Sequence, residues 1–69
     1  MEMVKKEYVV DKTMIGFIRF IFEAHEGVAV ATTLDSKKGH IRLAIAPDRL
    51  ITAQLIVEDL KKDFAFNEI

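Results

Sequence analysis

The apolar positions along this chain change period four times, and those changes, with one hairpin turn, mark off its elements. From Met3 to Val10 the β-formers Val4, Tyr8, Val9 and Val10 cluster, with Lys5, Lys6 and Glu7 keeping the start polar, which predicts a strand. Asp11-Lys12-Thr13 follows, and either Asp11 or Thr13 can cap the free N–H groups of a helix opening there. Met14, Phe17, Ile18, Ile21, Phe22 and His25 then recur at three- and four-residue steps, which places them on one face of a helix running to about Glu26. Gly16, Arg19 and Glu23 fall opposite, and Phe20 lies at the edge of the apolar face. Gly27 stands where a helix wants a left-handed terminal residue.

Val28 to Leu34 is a β-branched run with little charge, and His40 to Ala46 alternates Ile41, Leu43 and Ile45 with His40, Arg42, Ala44 and Ala46. Between them, Asp35-Ser36-Lys37-Lys38-Gly39 has the chemistry of a hairpin turn. Pro47 suits a first helical position, and Leu50, Ala53, Ile56, Val57 and Leu60 form the buried stripe of a second helix. Asp48 in its first turn and Lys61 and Lys62 in its last complement the helix dipole. Phe64 to Ile69 closes the chain as a short strand.

Strand, helix, strand, strand, helix, strand is the order of a ferredoxin-like α+β sandwich. Its two right-handed crossovers interleave into a four-stranded antiparallel sheet of order 4-1-3-2, with both helices on one face. The rival arrangement drops the last strand. No linker, repeat or low-complexity segment divides residues 1–69, so one domain is expected.

Composition sharpens this picture at two points. A chain of 69 residues buries only ~60% of the surface its unfolded form exposes, and small domains make up the deficit with disulfides, metals or partners. The absence of cysteine removes disulfides and thiolate metal sites, and a hydrophobic fraction of 51% leaves apolar surface for a partner. A homodimer is therefore expected. The net charge of −1 supplies no general field for nucleic acid or acidic membranes. The start of the chain lacks the apolar run of a signal peptide, and Arg19 interrupts the longest apolar stretch, so a cytoplasmic protein is expected.

Candidate surfaces follow from the sheet. With both helices on one side, the other face is bare. If the larger side chains of the hairpin face the helices, Ala29, Ala31, Thr33 and Ala44 make up the middle of the bare face, a surface on which a second copy can sit closely. Ile51 and Leu55, four apart and nearly opposite the buried stripe of the second helix, form a second apolar contact surface. Scattered exposed apolar residues and a tolerated alanine face are the plainer explanations. Lys37, Lys38, His40 and Arg42 make a basic cluster, but RNA-binding sheets of this kind stack bases on aromatic side chains, and the bare face offers alanine and threonine.

No constellation of catalysis is present: no GxSxG, no P-loop, no cysteine nucleophile, and Ser36 alone in a turn. His25 and His40 stand apart without the spacing of metal ligands, so neither metal nor cofactor is expected. The chain reads as a non-enzyme.

The run from Phe17 to Asp35, FIRFIFEAHEGVAVATTLD, together with Gly39 to Pro47, GHIRLAIAP, resembles a family of short bacterial proteins known only as a domain of unknown function. That resemblance spans nearly the whole chain and implies a shared fold without an activity. More loosely the chain is similar to ACT domains, ferredoxin-like regulatory modules that dimerise and bind amino acids. Those domains place a glycine near the turn from the first strand into the first helix; the nearest match here is Asp11 with Gly16, the latter inside the predicted helix. The resemblance implies a homodimeric module with a small effector at Asp11, Lys12, Thr13 and Gly16, whose helix N-terminus suits a carboxylate. The alternative is an adaptor that docks a larger protein through a strand edge or the second helix.

Overall fold

A computed structural model describes residues 2–69. Its strands are β1 (Val4–Val10), β2 (Ala29–Asp35), β3 (His40–Ile45) and β4 (Phe66–Glu68), and its α-helices are α1 (Ile15–Ala24) and α2 (Leu50–Leu60). They form a single sheet of order β2-β3-β1-β4, antiparallel throughout, which is the expected ferredoxin-like order read from its other edge. The last strand forms because Phe66 is buried. Its ring meets Tyr8 edge-on at 5.0 Å, and the Asp11 N–H donates to the Ala65 carbonyl at 3.0 Å.

Each helix is entered through a short 3₁₀ turn. Asp11 caps the first: its Oδ1 accepts from the Thr13 N–H at 2.9 Å and from the Thr13 hydroxyl at 2.7 Å. Pro47 opens the second, over Pro47–Arg49, so the α-helix proper starts at Leu50. α1 ends at Ala24, two residues sooner than the periodicity predicts. His25 is its cap, outside the helical repeat, and its side chain is exposed instead of central to the buried arc.

The core joins Ile18 and Phe22 of α1, Ala53, Val57 and Leu60 of α2, and the inward residues of the sheet, with Phe22 and Phe66 the largest of its fully buried side chains. Fully burying a side chain of this size contributes about 1.5–3 kcal/mol. Phe17, expected on the buried stripe, is half-exposed and lies edge-on to Phe64 at 6.3 Å. The stripe of α2 is the expected one, with Leu50 and Ile56 packed at its margins.

The faces of β2 are the reverse of those expected. Ala29 pairs with Ile45, Ala31 with Leu43 and Thr33 with Ile41, so these three small residues point toward the helices. α1 lies directly against β2, and small side chains leave it room; Ala29 and Ala31 are packed against the core. Val30 and Thr32 therefore face outward with Ala44 and Arg42. The surface proposed from the sequence as an alanine face retains only Ala44.

Two glycines fix the turns. Gly27 has φ +79 and Gly39 φ +71, values that cost other residues roughly 1–2 kcal/mol. Asp35 Oδ1 accepts from the Lys37 and Lys38 N–H groups at 3.0 and 3.2 Å, which rounds off the hairpin turn. Gly39 is also closely packed: its carbonyl accepts from the Val10 N–H at 2.8 Å, and a Cβ on it would overlap the Val10 carbonyl oxygen. Around Gly27 there is open space. Gly39→Ala is expected to cost about 3 kcal/mol, strain plus overlap, and Gly27→Ala about 1 kcal/mol. Thermal melts check this: at roughly 4–8 °C per kcal/mol for a domain this small, the first variant melts at least ~10 °C below the parent and clearly below the second.

Candidate functional site

β4 pairs with Tyr8, Val9 and Val10, and just beyond it the Ile69 N–H donates to the Glu7 carbonyl at 3.0 Å. A groove of about 320 Å³ opens there, between α2 and the sheet. Lys6 and Tyr8 reach it because they share the helix-side face with Leu43 and Ile41, their partners on β3. Glu68 enters from β4, opposite Tyr8. α2 supplies Gln54, Glu58 and Lys61, and its Ile51 and Leu55 form the lip.

The lip is strongly apolar and wet. Ile51 is 74% exposed and Leu55 66%, as expected for the side of α2 away from its buried stripe. Beneath it the charges are matched. Lys6 Nζ lies 3.7 Å from Glu68 Oε2, and Lys61 Nζ lies 3.5 Å from Glu58 Oε1. All four side chains are partly solvated, and ion pairs of this kind are worth only ~0–1 kcal/mol each. They hold little of the fold together and are free to regroup around a charged guest.

Tyr8 forms part of the floor. Its ring is buried against Phe66, and burial pushes its phenol above the ordinary value, with the negative charge of Glu68 adding to the effect. The groove thus keeps a neutral hydroxyl beside two carboxylates and two ammonium groups.

The residues proposed from the sequence for a ligand lie elsewhere. Asp11, Lys12 and Thr13 form the capped 3₁₀ turn and Gly16 is the second residue of α1; none of them lines this groove. The Asp11 carboxylate is occupied by the Thr13 hydroxyl and N–H, which hold its pKa below the usual carboxylate range. Gly16 is exposed and faces open space.

The bare sheet face carries charge at its centre. Glu7 Oε1 accepts from His40 Nε2 at 2.7 Å, and its Oε2 lies 3.7 Å from Arg42 Nη2, the residue directly opposite. Two members of the sequence-level basic cluster are therefore engaged by one carboxylate. Lys37 and Lys38 remain in the exposed turn. Sequence reasoning missed Glu7, Lys6 and Glu68 because the signal lay in the pairing of β1 with strands far along the chain, not in any local motif. Among the described residues no group of three or more His, Cys, Asp or Glu side chains is placed to hold a metal ion, and no helix is long and apolar enough to cross a membrane.

Fold and groove together define a ferredoxin-like α+β domain with a half-roofed sheet. The chain belongs to the family described as a domain of unknown function (DUF4911), which it matches over residues 8–63. That span holds Tyr8, both helices and the β2–β3 hairpin, and leaves Lys6 and Glu68 outside it. No curated protein and no solved structure matches the chain.

Tyr8 is the only tyrosine, so absorbance of the phenolate reads this floor residue alone. Its titration midpoint is expected above the ordinary tyrosine value. Glu68→Gln should bring the midpoint down only part of the way, since burial is the larger cause. The phenol holds its proton more tightly folded than unfolded. Its share of stability is thus intact below pH ~10 and is lost as pH rises past the unfolded value, which denaturant melts at a series of alkaline pH values will show.

Proposed function

We propose that this chain is a non-enzymatic, self-associating binding module that takes a small zwitterionic effector of amino-acid size in the groove under α2. One observation carries the reading: an apolar lip, Ile51 and Leu55, stands over two lysine–glutamate pairs around a space of about 320 Å³. That volume lies at the small end of ligand sites, roughly 300–1,000 Å³. Lys6 and Lys61 suit a carboxylate, Glu58 and Glu68 an ammonium group, and the lip an aliphatic or aromatic side chain. The weak pairs exchange partners at small cost when such a guest enters. The loose similarity to ACT domains points to the same class of ligand, at a different place on the fold. Self-association is supported by the exposure of Phe20, Val30, Ile51 and Leu55 on so small a chain.

Native mass spectrometry of the protein isolated from its own cells should find it carrying a small extra mass. Tyrosine fluorescence then tests the site directly, because the chain has no tryptophan and its one tyrosine lines the groove. Titration with single amino acids is expected to give a saturable change with at least one of them. Lys61→Glu should weaken it about 10- to 100-fold, the effect of losing one charge-assisted contact and gaining a repulsion. No change with any amino acid at millimolar concentration would sink this reading.

A further inference from the structure

The two edges of the sheet are unlike. β4 spans three residues, whereas β2 spans seven and carries no charge or proline from Ala29 to Leu34. The Ala46 N–H donates to the Val28 carbonyl at 3.0 Å, which sets the alternation of the β2 backbone. Residues in step with Val28, namely Val30 and Thr32, turn their backbone groups inward to β3; Ala29, Ala31 and Thr33 turn theirs outward. Proteins blunt such an edge with lysines, prolines, short strands or bulges. Here the only such device is a bulge between Thr33 and Asp35, at one end.

We propose that β2 pairs with β2 of a second copy, antiparallel about a two-fold axis through Thr32, to make one eight-stranded sheet. The proposal rests on the self-association reading above and assigns it a surface. In this register the outward backbone groups of Ala31 meet those of the partner's Thr33, and Thr32 faces the partner's Thr32. Val30, 61% exposed, faces the partner's Leu34, itself exposed, and the two-fold axis repeats that apolar pair. Charge agrees with a second copy as the occupant. Asp35 falls opposite the partner's Ala29, so the two carboxylates stand at opposite ends. A single strand from some other protein would meet the backbone but has no reason to supply these matches.

The chain has no cysteine, so Thr32→Cys introduces the only thiol. Facing residues at a position of this type have Cα atoms about 4.5 Å apart, within the roughly 4.4–6.8 Å a disulfide spans. T32C is expected to link quantitatively into a dimer under mild oxidation. V30C, four residues out of register with its own copy and ~13 Å from it, should not. Thr32→Lys sets two like charges against each other and should give monomers by light scattering, and mixing T32K with T32E should restore a one-to-one dimer. If the parent is dimeric while T32C stays unlinked and T32K stays dimeric, this surface is overturned and self-association survives elsewhere. A parent protein that is monomeric at high micromolar concentration overturns both. Neither result bears on ligand binding in the groove.

Discussion

The junction of Val10 with Gly39 is the constraint on which the sheet depends. β1 and β3 are the two central strands, and they are joined by no local turn. Their ladder runs from Val4 opposite Ile45 to Val9 opposite His40, and it is closed at its far end by the Val10 N–H on the Gly39 carbonyl. The absence of a side chain at residue 39 lets the two backbones meet, and the positive φ there returns the chain into β3. With that contact made, Tyr8 and Val10 are aligned beside Ile41, and Phe66 has a place to bury its ring. Everything on the helix side, including the floor of the groove, is hung from this register.

Function on this fold follows from what the sheet leaves uncovered. The groove lies under α2, with Tyr8 as its buried floor and the partly solvated Lys6 beside it. At the opposite margin, β2 is long enough to pair and nearly bare of charge. The two surfaces lie on different edges, so a partner at one does not cover a ligand at the other. Between them, the open face is drawn together by Glu7, which binds His40 and Arg42 at once and leaves no broad basic field there.

Much of the fold was legible because its elements announce themselves locally. Helical spacing marked Ile18 with Phe22 and Ala53 with Val57, Gly27 and Gly39 marked turns, and alternation marked β3. The faces of β2 were not legible. Size alone argued that Val30 should be inside and Ala31 outside, but the neighbour above that strand is a helix pressed close, and closeness favours the smaller residue. His25 was misplaced for a related reason: periodicity continues on paper past the point where the backbone stops being helical. Ile51 and Leu55 were read correctly as exposed, since their angular position on α2 needs no knowledge of neighbours. The groove they border could not be read, because Lys6, Glu68 and Lys61 come together only through the order of the strands.

That strand order also has a bearing on how the protein is made. β1 precedes every other element, yet its partner β3 emerges only after α1 and β2, and β4 after that. During synthesis Tyr8 and Val10 are made before β3 and β4, their partners in the sheet, and the consecutive charges Lys5-Lys6-Glu7 lie just ahead of them in β1. A strand set at the centre of the sheet but ahead of its partners in the sequence thus carries three consecutive charged residues, Lys5-Lys6-Glu7, before its apolar end.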